Sequence, residues 1–140
     1  MIKKTLLFFL MLVLMVPIGC APTLSLYDQY AYTQTTSIKV DVLNLMDLAT
    51  EDYQSHVKDI TSVNTEIQKM YEYDKGRTKD SLTIKQWNIL VDPKNLYGRF
   101  LNDWKTSGHL SATFIGDKKT NVTAAFDEIV KLENGKNRAK

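Results

Sequence analysis

The residues able to do chemistry are few: one cysteine and two histidines in 140 residues. Cys20 is the only thiol. It excludes a disulfide within the chain and a zinc ribbon, both of which need more cysteines. As a thiolate it remains a competent nucleophile. His56 has Asp52 at i−4 and Glu51 close by. A carboxylate and a histidine so spaced share a helix face and suit weak metal binding. A surface ion pair is the plainer expectation, so neither a metal nor a cofactor is assigned. His109 follows Gly108 and reads as a solvated loop residue. The chain holds no Gly-x-Ser-x-Gly, His-Glu-x-x-His, phosphate-loop or EF-hand pattern, and no Glu-x-x-His pair of the di-iron bundles. No catalytic residue is assigned, and the expectation is a protein that is not an enzyme.

Charge narrows the classes further. Lys and Arg number 18 against 16 Asp and Glu, a net charge of +2. That excludes a strongly basic nucleic-acid binder. The N-terminus carries Lys3 and Lys4, then an apolar run from Leu6 to Val16, then Pro17-Ile18-Gly19-Cys20. A positive start, a short apolar run and small residues at a cut point form a secretory signal. The run is too short for a span, which takes about 20 residues.

Ile18-Gly19-Cys20 resembles the lipobox of bacterial lipoprotein precursors, with Pro17 where Leu is usual. The resemblance covers residues 1–20. It implies a signal peptide over 1–19 and a diacylglyceryl group on the Cys20 thiol, followed by a lipidated cysteine and short tether over 20–26. Two or three acyl chains hold a protein stably at a membrane, where one does not. The implied place is the cell membrane or outer membrane, lipid-anchored, facing the periplasm or the cell exterior. Removing residues 1–19 from 140 leaves 121 and takes away two lysines, so 16 bases face 16 acids. Neutrality argues against nucleic acid and against a broad electrostatic membrane surface.

The elements must then place what remains. From Tyr27 to Asp74 there is no Gly or Pro. Apolar residues recur there from Ile38 to Met70 with the helical period. The expectation is one continuous helix over 27–74, near 70 Å long at about 1.5 Å per residue. Its weak point is Thr50-Glu51-Asp52, where a helix restart is the alternative. Gly76 is a candidate C-terminal cap. A second helix is expected from Thr83, kinked or restarted at Asp92-Pro93. It carries Trp87, Tyr97, Phe100 and Trp104, read as core rather than a sugar platform. The last helix is expected from a Ser111 cap to Asn134-Gly135. The fold class is all-α: a three-helix bundle, or four-helix with a break at Thr50, over 27–135, and a basic flexible tail over 136–140.

The leading expectation is a lipid-anchored helical envelope protein that acts through protein–protein interaction. A 70 Å first helix would outrun its neighbours. Its 27–50 stripe, with Ile38, Val42, Leu45 and Met46, would then need a protein partner or a second copy. Tyr27, Tyr30 and Tyr32 suit either the membrane interface or packing against another chain. One alternative is attachment to the cell wall through Lys140, by similarity to the murein lipoprotein. Another is an immunity or exclusion lipoprotein, to which no residue points.

Overall fold

The computed structural model describes residues 25–77 and 81–136. Five α-helices and two short 3₁₀ turns make up the described residues, with no strand among them. Helix α1 is Gln29–Asp47, α2 is Val57–Arg77, α3 is Ser81–Val91, α4 is Leu96–Ser107 and α5 is Ala112–Asn134. The path is up, down, up, down. Helix α1 packs on α2 and α5, and the short helices α3 and α4 together fill the third position against α5. The result is a four-helix bundle whose third member is broken.

Local chemistry sets most of the boundaries. The Asp28 carboxylate accepts from the amides of Tyr30 and Ala31 and caps α1. Ser111 accepts from the Phe114 amide and caps α5, as its position in the sequence predicts. Helix α2 does not stop at Gly76; it runs through to Arg77, with Lys75 and Arg77 in its last turn, where the helix dipole favours cations. Helix α3 starts at Ser81, two residues before the expected Thr83. Asp92-Pro93 does not open α4. The Asp92 carboxylate instead accepts from the Lys94 amide and the Asn95 side chain, and α4 begins at Leu96. Leu96 has φ 33°, an unfavourable value for a branched residue. Gly98 lets α4 turn in close: a Cβ there would lie 2.3 Å from the Val91 carbonyl oxygen.

The single helix over 27–74 is not found. It breaks into α1 and α2 at 3₁₀ turns Leu48–Thr50 and Tyr53–His56, with Glu51 extended between them. Neither Gly nor Pro causes the break. The chain between α4 and α5 holds it open: the Leu110 amide donates to the Ala49 carbonyl at 2.7 Å, and the Tyr53 amide to the Gly108 carbonyl at 2.8 Å. The buried Trp104 indole donates to the Glu51 carbonyl at 3.0 Å. Backbone groups freed by the break are thus paired from a distant segment, which removes the usual cost of ending a helix.

This break changes the length argument. Helix α1 has 19 residues, α2 has 21 and α5 has 23, so each is near 30–35 Å long at about 1.5 Å per residue. No overhang remains. Ile38, Val42, Leu45 and Met46 are all buried inside the chain's own core, so the 27–50 stripe is not left open for a partner. Trp87, Tyr97, Phe100 and Trp104 are core residues, with Trp87 edge-on to Phe126 at 6.0 Å.

Candidate functional site

Three places bring polar or reactive groups together. The first is the distal end, at the break between α1 and α2. His56 lies there with its Nε2 2.9 Å from the Glu51 carboxylate and its Nδ1 3.3 Å from Asp59. Its ring is 5.8 Å from that of Trp104. Both ring nitrogens face carboxylates, so the doubly protonated imidazolium satisfies both. The hydrogen bond His56 donates to Glu51, then that to Asp59, raises the His56 pKa above its ordinary 6.5. Asp52 is not a partner; its carboxylate caps the Tyr53–His56 turn through the Gln54 amide. No group of three His, Cys, Asp or Glu residues suited to a metal occurs among the described residues.

The second place is the opposite end, where the chain enters α1. Here α2 and α5 finish, and a set of charged side chains closes over them. Arg77 Nη2 lies 2.7 Å from Glu133 and 3.0 Å from Asp74. Its Nη1 donates to the Leu26 carbonyl at 3.0 Å. Asp74 also accepts from the Trp87 indole at 2.8 Å. Glu133 accepts from Lys136 and from the Asp28 amide, each at 2.7 Å. Asp28 in turn accepts from the Tyr73 hydroxyl at 2.7 Å.

Electrostatics follow from that wiring. Partial burial works against the Asp28 carboxylate, but the Tyr73 hydroxyl and the Ala31 and Tyr30 amides outweigh it and lower its pKa. The same bond, with burial, raises that of Tyr73. Burial opposes the Arg77 charge, yet Glu133 and Asp74 more than compensate and raise its pKa.

The sequence reading missed this clamp and placed Lys136 in a mobile tail. Lys136 is buried, tied down by Glu133. A signal was present. Asp74 continues the buried row Ile60, Ile67, Met70 of α2, and Glu133 continues Val122, Phe126, Ile129 of α5. A carboxylate on a core row must find a cation.

The third place is a groove between α2, α3 and α4, with a volume of about 490 Å³. Ile67, Tyr71, Val91, Pro93, Tyr97 and Leu101 line it, with the amides of Asn64, Gln68 and Asn88. Nothing in that lining is charged at neutral pH. Tyr97 is buried, which raises its pKa, and its hydroxyl has no hydrogen-bond partner within the described residues. A second groove of about 450 Å³ lies between α1 and α2 and is acidic, with Asp41, Asp59 and Glu66.

No protein-family model matches the chain, and no characterised protein or solved structure shows significant similarity to it. No described helix is long and apolar enough to cross a membrane. Cys20, its lipobox and Lys140 lie outside the described residues.

Proposed function

We propose that the chain is a lipid-anchored envelope lipoprotein that acts without catalysis, by binding another protein in the groove between α2, α3 and α4. The groove is the observation that carries the reading. Its volume falls in the range of clefts that take a small ligand, roughly 300–1,000 Å³, which is room for a few side chains of a docked chain. Its walls are apolar, and its polar side chains are the neutral amides of Asn64, Gln68 and Asn88. The groove holds no His, Cys or carboxylate to act as base or nucleophile. The anchor rests on Ile18-Gly19-Cys20.

A photo-crosslinking residue at Val91, which lines the groove, tests the binding half in cells. One discrete adduct is expected, and none from the same residue at the exposed Val40 on α1. Leu101→Arg should abolish the adduct while the far-ultraviolet spectrum stays helical. Equal labelling from both positions sinks the reading. For the anchor, Cys20→Ser should remove palmitate labelling and leave an uncleaved precursor, because a serine hydroxyl is too weak a nucleophile to take the lipid. Palmitate retained by that variant overturns the lipoprotein assignment.

A further inference from the structure

We propose that the end of the bundle where α1 begins is a membrane-contact surface, seated on the lipid interface through Leu26, Tyr30 and Tyr73. The start of α1 and the last turns of α2 supply it. The rings of Tyr30 on α1 and Tyr73 on α2 pack at 4.8 Å. The Arg77 guanidinium lies 5.8 Å from the Tyr73 ring and holds the Leu26 carbonyl. Leu26 is 56% exposed and Tyr30 54%, so apolar surface faces outward at this end. Tyr27 and Tyr32 lie alongside, with rings 6.4 Å apart.

Three features favour a lipid surface as the occupant. Tyrosine pairs an apolar ring with a polar tip and prefers the depth of the headgroups. Leu26 stands six residues after Cys20, a span of at most about 21 Å, so an anchored chain cannot move this end far from the bilayer. The clamp carboxylates here are all engaged: Asp28 by Tyr73, Asp74 by Arg77 and Trp87, and Glu133 by Arg77 and Lys136. Asp74 and Glu133 are almost fully buried, so of the three only Asp28 keeps partly exposed negative charge, with Arg77 Nε 4.0 Å away. Because the clamp ties Leu26 and Asp28 to the ends of α2 and α5, contact here fixes the orientation of the whole bundle. The distal end then faces away from the membrane.

The proposal takes its geometry from an anchor at Cys20, but its test supplies that anchor chemically. Residues 20–140 hold a single thiol, so a maleimide lipid in a nanodisc of phosphatidylethanolamine and phosphatidylglycerol couples only there. A gadolinium headgroup lipid then broadens nearby amide signals. Broadening at residues 26–30 and 73–77 should exceed that at Gly108 and Leu110 at least fivefold. Leu26→Ser with Tyr30→Ser should lower it at 73–77 at least twofold, while the equally exposed Val40→Ser changes nothing. An unchanged pattern in the double variant overturns the proposal, since the tether alone would then explain the proximity. Lack of palmitate on Cys20 in cells would overturn the lipoprotein reading instead, and leave this measurement standing.

Discussion

The bundle closes its two ends by different means. Where α1 begins, Arg77 joins Asp74, Glu133 and the Leu26 carbonyl, so three parts of the chain meet at one partly buried cation. At the distal end, the break after α1 is closed by backbone bonds from Tyr53 and Leu110 and by the Trp104 indole, around an aromatic core. The first arrangement is high in stakes: each ion is stabilised only while its partners are present. The second distributes its cost among neutral bonds, each worth about 1 kcal/mol net. The charged end ties down the segment leading toward Cys20, which would bear any pull from a membrane anchor. The distal end ties down the turn that separates α1 from α2.

Breaking the clamp gives the largest expected effect. Arg77→Met leaves Asp74 and Glu133 without their shared cation, with side chains only 2% and 6% exposed. The cost should be about 3–5 kcal/mol, as for other buried pairs that lose one partner. Urea unfolding followed by circular dichroism reads it. A loss below about 1 kcal/mol, the level of an exposed pair, would mean that water already solvates the clamp and that the contrast between the ends is false.

The matching change at the distal end is Trp104→Phe. It removes the indole donor to Glu51 and part of a fully buried ring that packs on Tyr53 and Phe100. One lost bond and a partial cavity add to about 2 kcal/mol. Amide exchange should quicken at Glu51 to His56 before it does at Leu26 to Ala31. The reverse order would show that the break is held by something other than this contact.

The two ends also differ in how legible they are in the sequence. The helices at 29–47 and 57–77 follow from apolar spacing, and the Ser111 cap from residue type alone. The break between α1 and α2 shows only as the weak point Thr50-Glu51-Asp52, because most of what holds it open is not local. Residues 48–56 contain neither Gly nor Pro. The apolar rhythm runs on through them, and beyond the local Asp52 cap it is Gly108, Leu110 and Trp104 that pair the freed backbone groups. With the continuous helix preferred over the restart at Thr50-Glu51-Asp52, a correct periodicity yields a helix about twice too long and an exposed stripe that is in fact core. The clamp was half legible. Asp74 and Glu133 sit where the rows on α2 and α5 call for apolar residues, but that Arg77 serves both depends on α2 and α5 ending side by side. The groove is not legible, since a kink or restart at Asp92-Pro93 does not say how α3 and α4 will sit against α2.

Gly116 offers a smaller test near the distal end. It lies inside α5, and a Cβ there would meet nothing within 4 Å. Gly116→Ala should therefore stabilise by up to about 1 kcal/mol, through helix propensity and a less flexible unfolded chain. The midpoint in urea reads it. A loss of stability would mean that the first turns of α5 need backbone freedom, and that the distal end is less rigid than its hydrogen bonds imply.

The smallest effect expected belongs to His56, and it sets a sign on the distal end. Its pKa is raised in the folded chain by Glu51 and Asp59, so the folded state holds the proton more tightly than the unfolded one. The stability so gained is fully present below pH 6.5, the ordinary value, and is lost as the pH climbs through the raised one. Both carboxylates are about 60% exposed, so the pair is screened and the gain should stay under about 1 kcal/mol. Measured by thermal unfolding in low salt, wild type should exceed His56→Gln below pH 6.5 and converge on it in mildly alkaline buffer. A gap that widens with pH instead would mean that the neutral ring is the form the fold prefers. The imidazole would then belong to the aromatic stack on Trp104 rather than to the two acids.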